Sequence, residues 1–177
     1  MIYCIGDNAA ILSSGHLTNA TMFRLVIGVG NTFRRDDGAG IEVVRRLAGT
    51  VREDIRIIEQ SGEGASLMAS WVHSDRVIIV DALKSGNPPG SIRRFDAGHE
   101  RLSSGLFHYS SHNFSVAVAV EMARELGTLP DSLILYGIEG TDFSFGEGLT
   151  EPVTAALPEV CTRIREDLLS AENEAET

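Results

Sequence analysis

The sequence is poor in cysteine, which limits the kinds of site and compartment it suits. Its two cysteines, Cys4 and Cys161, lie far apart and outside any Cys-x-x-Cys pair. This spacing argues against a disulfide framework or a zinc knuckle and makes a reducing cytoplasm the default compartment. No apolar run approaches the roughly 18 residues of a membrane span. Residues 1–20 lack the charged start and apolar core of an export signal, so we expect none.

Positive charge is also scarce. Lys and Arg number 15 against 25 Asp and Glu, which leaves a formal net charge of -10. Such an acidic chain disfavours nucleic acid and anionic membrane surfaces as partners and suits a cationic or metal-bearing one. A composition that is 43% hydrophobic is typical of a globular protein. We expect one domain that buries about two-thirds of the surface exposed by its unfolded chain.

Apolar runs and amphipathic segments alternate along the chain in the manner of an α/β fold. Short apolar runs bounded by turn residues predict strands at 23–29, 55–58, 76–81, 91–95 and 132–136. Helical spacing predicts helices at 38–47, 65–71 and 114–126 and a last helix after Thr150. The order predicts a three-layer α/β domain of about five strands over residues 21–170. Residues 1–20 are predicted to be an extension and residues 171–177 an acidic tail.

The segment 25–47, LVIGVGNTFRRDDGAGIEVVRRL, combines a buried strand, a glycine turn, a loop with two carboxylates and an amphipathic helix. Its loop is expected at the carboxyl edge of the sheet, where open α/β folds bind ligands. Asp36 and Asp37 lie in this loop, Asp81 ends the third predicted strand, and His112 precedes a helix. Two carboxylates and an imidazole that converge at one edge suit a divalent transition metal.

Simpler roles compete with metal binding at each of these positions. Asp37 is also a good N-cap or first-turn acid for the helix that follows it. Asp81 could cap a turn, and an isolated His112 would more often be a loop histidine. His108 lies close enough to replace His112, and Asp36 competes with Asp37. Spacing alone does not decide between the neighbours.

A dinucleotide site is the main rival interpretation of the glycine turn. The stretch GVGNTF has the first two glycines of GxGxxG, but Phe33 replaces the third. The inserted RRDD lengthens the turn, and its carboxylates would repel a pyrophosphate. Glu59 stands where the ribose-binding acid would follow the second strand. It lies farther from Gly30 along the chain than the typical spacing of about 20 residues. A Ser-His-Asp hydrolase is also disfavoured, because no GxSxG occurs.

Four motifs, in their order, resemble the hydrogenase maturation endopeptidases: GVGNTFRRDDGAG, VIIVDAL, SSHNFSV and GEGLTEPV. These proteases trim the C-terminal extension of the nickel-containing hydrogenase large subunit. The similarity runs from about residue 23 to residue 169. It implies a three-layer α/β/α sandwich with a mixed, mostly parallel five-stranded sheet, in which the fourth strand is antiparallel. The chain departs from the family at 59–64, where EQSGEG stands in place of an Asp-Gly-Gly type turn.

The resemblance also implies a function. It predicts a cytoplasmic, aspartic-type endopeptidase that removes the C-terminal extension of a [NiFe] hydrogenase large-subunit precursor after nickel insertion. Asp37, Asp81 and His112 match the family's three metal-binding positions. The nickel is carried by the substrate, and other divalent ions such as cadmium can occupy the site.

Two aspects of this predicted function stay open at the level of sequence. Hydrolysis could use a metal-polarised carbonyl or a metal-bound water. It could equally use a carboxylate as a general base on water. The alternative to a protease is a nickel-binding maturation chaperone that docks on the large subunit without cutting it.

Overall fold

The computed structural model describes residues 23–102 and 116–175. Its elements are β1 (Phe23–Val29), a 3-10 turn (Arg35–Gly38), α1 (Ala39–Leu47), β2 (Ile55–Gln60), α2 (Gly64–Ser70), β3 (Ser74–Leu83), β4 (Ile92–Asp96), α3 (Val116–Leu126), β5 (Ser132–Glu139) and α4 (Glu151–Ala175). Each predicted strand and helix within these residues is present. Strands β2, β3 and β5 run beyond their predicted ends, so that Asp81 lies within β3 instead of ending it, and α4 continues into the segment predicted as an acidic tail. The predicted extension, residues 1–20, lies outside the described residues, and so do His108 and His112.

The five strands form one mixed sheet in the order β2-β1-β3-β5-β4. Strands β2, β1, β3 and β5 are parallel, and β4 runs antiparallel to β5. This confirms the predicted mixed, mostly parallel sheet with an antiparallel fourth strand. The carboxyl ends of the four parallel strands therefore point to a single edge of the sheet.

Helices cover both faces of the sheet and create the three layers. On one face, Leu25 of β1 packs in a buried cluster with Trp71 next to α2 and Val120 of α3. The next residue, Val26, faces the opposite cluster, which contains Leu157 of α4 and the apolar side of α1. Both faces of β1 are buried, which explains its continuous apolar sequence. None of the helices in the described part of the chain is long and apolar enough to cross a membrane.

Helix α1 begins directly against the carboxyl ends of β1 and β3. A Cβ atom on Gly40 would overlap the carbonyl oxygens of both Val29 and Val80. Only glycine allows this close approach of helix and strands. Because α1 lies this close to the strands, the 3-10 turn that precedes it contacts the end of β3.

Replacing Gly40 by alanine is expected to lower the free energy of unfolding by about 3 kcal/mol, because the strand carbonyls would have to move. Urea denaturation measures the change. Gly49→Ala serves as the control, since Gly49 has a φ of +74° but open space around it. That substitution should cost only about 1 kcal/mol, from backbone strain. A Gly40→Ala variant no less stable than Gly49→Ala would contradict the close approach.

Candidate functional site

Asp37 lies in the 3-10 turn between β1 and α1 and is 7% exposed. Its carbonyl oxygen accepts a hydrogen bond from the Asn31 amide at 3.2 Å, and its own amide donates to the Arg34 carbonyl at 3.1 Å. Gly30 has a φ of +141°, and a Cβ there would overlap the Asp37 carbonyl oxygen. The glycine turn therefore folds tightly enough to deliver Asp37 to the edge of the sheet. Helix α1 has Gly38 as its N-cap, so Asp37 is not the N-cap.

Asp81 reaches the same edge from β3, where it pairs with Gly137 of β5. The residue is 6% exposed. Its Oδ1 atom accepts a hydrogen bond from the Ala82 amide at 2.8 Å. Burial and the nearby charge of Asp37 raise the pKa of Asp81 to about 8. The structure thus brings two buried carboxylates together, as the order of strands and loops predicts.

The donor chemistry of this pair suits a cation. Two buried carboxylates disfavour each other's ionisation, and a bound cation would reverse that preference. Within residues 23–102 and 116–175, no third His, Cys, Asp or Glu joins the pair to form a metal-binding cluster. His112, the predicted imidazole ligand, lies outside the described residues, as does its competitor His108. The nitrogen ligand therefore stays a prediction.

Asp36 is held by hydrogen bonds to the segment between β5 and α4. It is fully buried, and its Oδ2 atom accepts hydrogen bonds from the amides of Thr141 and Asp142 at 2.9 and 3.0 Å. The Thr150 hydroxyl donates to Oδ2 at 3.0 Å, and the Thr150 amide donates to Oδ1 at 2.7 Å. These four hydrogen bonds match the roughly four lone-pair sites of a carboxylate. Asp36 therefore ties the β1–α1 loop to the start of α4.

A buried glutamate that sequence reasoning missed organises the loop after β3. Glu139, at the end of β5, is 2% exposed. Its carboxylate accepts hydrogen bonds from the amides of Ser85 and Gly86 and from the Ser85 hydroxyl, at 2.7 to 2.8 Å. Its main-chain oxygen accepts from the Gly90 amide at 2.7 Å. Loop 84–90 is therefore held against the sheet edge that carries Asp81. The position of this acid at the end of the apolar run SLILYGIE is the sequence feature that could have indicated its burial.

Glu59 is engaged in an ion pair at the end of β2. Arg45 of α1 binds both of its carboxylate oxygens, at 2.9 and 3.0 Å. This contact does not match the ribose-binding role that the dinucleotide interpretation requires. Beside the pair lies a cavity of about 300 Å³, whose lining includes Gly30, Phe33 and Gln60. The cavity opens next to the glycine turn, at the edge that carries Asp37.

Comparisons with known proteins agree on one family. The sequence model of the hydrogenase maturation protease family matches residues 41–167. The hydrogenase expression/formation protein HupD of Bradyrhizobium diazoefficiens is 30% identical over 134 residues, which cover 73% of this chain and 69% of that protein.

Solved structures have the same fold. The hydrogenase maturating endopeptidase HybD of E. coli gives a TM-score of 0.70 at 24% identity, over 85% of this chain and 94% of that one. The [NiFe] hydrogenase maturation protease HycI of Thermococcus kodakarensis gives a TM-score of 0.60 at 26% identity. The match covers 81% of this chain and 90% of that one.

Proposed function

Because the chain belongs to the hydrogenase maturation protease family and is therefore a peptidase, we propose that it removes the C-terminal extension of a [NiFe] hydrogenase large-subunit precursor after nickel insertion. The proposal rests mainly on one observation, the meeting of two buried carboxylates at the carboxyl edge of β1 and β3. In this proposal Asp37 and Asp81 bind the nickel that the precursor carries, and His112 supplies the third ligand.

The electrostatics of the pair favour a precursor that already contains its metal. Burial and the charge of Asp37 raise the pKa of Asp81 to about 8, so Asp81 holds a proton at neutral pH. A divalent cation replaces that proton and offsets the repulsion between the carboxylates. A precursor without nickel offers no such gain and binds less tightly. Cleavage then reports that nickel has been inserted.

The walls of the site suit a substrate that is itself a protein. Loop 84–90, held by Glu139, begins three residues after Asp81 in the chain. The 300 Å³ cavity beside Phe33 lies at the glycine turn that precedes Asp37 and is large enough for a side chain of the cleaved peptide. The acidic surface, at a net charge of -10, is compatible with a metal-bearing partner.

Incubation with nickel-loaded precursor is expected to lower the intact mass of the precursor by the mass of its C-terminal tail. The same precursor without nickel should keep its full mass, because the two carboxylates then lack a cation to bind. Mass spectrometry of the intact precursor measures both. The already processed large subunit is the control and should not change.

The possible results separate three accounts. Stable binding of nickel-loaded precursor without any loss of mass would identify a maturation chaperone rather than a protease. Equal cleavage of the loaded and nickel-free precursors would contradict recognition through nickel but leave the peptidase activity in place.

A further inference from the structure

Two aromatic side chains near the candidate site are unusually exposed. Phe33 is 64% exposed and Phe145 is 87% exposed. Phe33 lies in the β1–α1 loop and Phe145 in the loop between β5 and α4. Exposed aromatic residues that lie together commonly mark surfaces that bind other proteins. We call Phe33 and Phe145 the aromatic pair.

The backbone places the two residues side by side. The Gly146 amide donates to the Phe33 carbonyl at 2.9 Å, and the Arg35 amide donates to the Gly146 carbonyl at 2.9 Å. These bonds form a parallel bridge between Arg34 and Gly146. Phe33 and Phe145 each immediately precede a bridged residue. Their backbones are therefore about one strand spacing apart, roughly 5 Å.

The loops that carry the aromatic pair are fixed by several independent contacts. The Arg34 guanidinium donates to the Phe143 carbonyl at 3.2 and 3.3 Å. The Arg35 guanidinium pairs with Asp142 at 3.1 Å. Asp36 accepts hydrogen bonds from the same loop at Thr141 and Asp142. A surface held in one conformation loses little entropy when a partner binds.

Phe33 of the aromatic pair lies four residues before Asp37, in the same loop. Phe33 lines the 300 Å³ cavity together with Gly30, whose turn delivers Asp37. A protein substrate bound at Asp37 would therefore lie close to Phe33. A second copy of the chain is a poor occupant, because each copy carries a net charge of -10 and would cover the other's site.

We propose that the aromatic pair docks an apolar patch on the folded body of the large-subunit precursor, next to the segment that is cut. This inference rests on the proposed function of the site. The docking contact forms equally in the ground state and in the transition state. It therefore contributes to the affinity for the precursor and not to the rate of the chemical step.

Steady-state cleavage of nickel-loaded precursor by the double variant Phe33→Ser, Phe145→Ser tests the proposal. KM is expected to rise at least about tenfold, with kcat unchanged, because only uniform binding is lost. The variant Phe33→Leu, Phe145→Leu should recover most of the affinity. Val72→Ser is the matched surface control, since Val72 is 65% exposed and precedes the amino end of β3, at the opposite edge of the sheet. It should leave KM unchanged.

The outcomes keep this inference separate from the proposed function. Normal KM in the serine double variant, with wild-type cleavage intact, would overturn docking by the aromatic pair and leave the protease assignment standing. Wild-type protein that binds the loaded precursor but never cuts it would overturn the protease instead. A wild-type dimer in sedimentation that the serine double variant abolishes would show that a second copy covers the pair, which would also overturn the docking proposal.

Discussion

Asp37→Asn and Asp81→Asn are each expected to abolish removal of the precursor's C-terminal extension while the protein stays folded. An amide cannot provide the anionic oxygen that a divalent cation requires at these two positions. Since loss of an outer-shell partner already costs about 10- to 100-fold, loss of a ligand should cost at least 100-fold in cleavage rate. Normal trimming by both variants would remove these residues from the site. Glu147→Ala, an exposed acid elsewhere on the same edge, is the control for general loss of charge.

Asp81→Asn should also make the folded protein more stable at neutral pH. The folded state raises the pKa of Asp81 from 3.8 to about 8, so at pH 7 it holds a proton that the unfolded chain has lost. The stability linked to this group is fully present below about pH 3.8 and is lost as pH rises towards 8. At about 1.4 kcal/mol per pKa unit, the loss at pH 7 is at most ~4 kcal/mol.

Thermal melts at pH 5 and pH 8 measure this gain. Asparagine has no charge to bury, so the difference in Tm between the variant and the wild type should be larger at pH 8. A variant that melts below the wild type at both values would contradict the electrostatic description of the site. A more stable but inactive variant would show that the acid is kept for function at a cost in stability.

Asp36→Ala, unlike Asp81→Asn, is expected to lower the stability of the folded protein strongly. Its carboxylate is the acceptor for three amides and one hydroxyl in a fully buried position. Removing it leaves those donors without a partner, which should lower the free energy of unfolding by about 4 kcal/mol. Urea denaturation measures the change, and the exposed Glu147→Ala in the neighbouring loop should stay within about 0.5 kcal/mol of wild type.

The expected effects of substituting the adjacent residues Asp36 and Asp37 differ: a loss of stability at Asp36 and a loss of cleavage at Asp37. Cleavage by Asp36→Ala should fall only in proportion to the unfolded fraction and should recover under conditions that stabilise the fold. A variant at Asp36 that is as stable as wild type yet inactive would instead place Asp36 among the metal-binding residues.

The fold and the positions of Asp37 and Asp81 at one edge of the sheet could be predicted because their signals are local. Buried strands such as β1 and β3 contain apolar runs, and a carboxylate follows each run. Parallel strands deliver their trailing residues to one edge, so Asp37 and Asp81 could be expected to meet there. The close packing of α1 on these strands, which Gly40 permits, is not among the sequence predictions.

The structural role of Asp36 could not be predicted, because it depends on contacts that are distant in sequence. The partners of Asp36 lie 105 to 114 positions away. Glu139 binds Ser85 from 54 positions away, which no local pattern reveals. Strand β5 continues past its predicted end, residue 136, through Gly137. The absence of a side chain on Gly137 makes room for Leu83 of the neighbouring strand.

The proposed function requires that Asp37 and Asp81 together bind the metal ion by which the precursor is recognised. Anomalous X-ray diffraction from crystals of the protein soaked with Ni²⁺ or Cd²⁺ tests it most directly. The expected result is an anomalous peak about 2.0–2.5 Å from a carboxylate oxygen of each residue. An imidazole nitrogen of His112 should complete the ligand set. Anomalous peaks only at other positions, with none between Asp37 and Asp81, would contradict the claim.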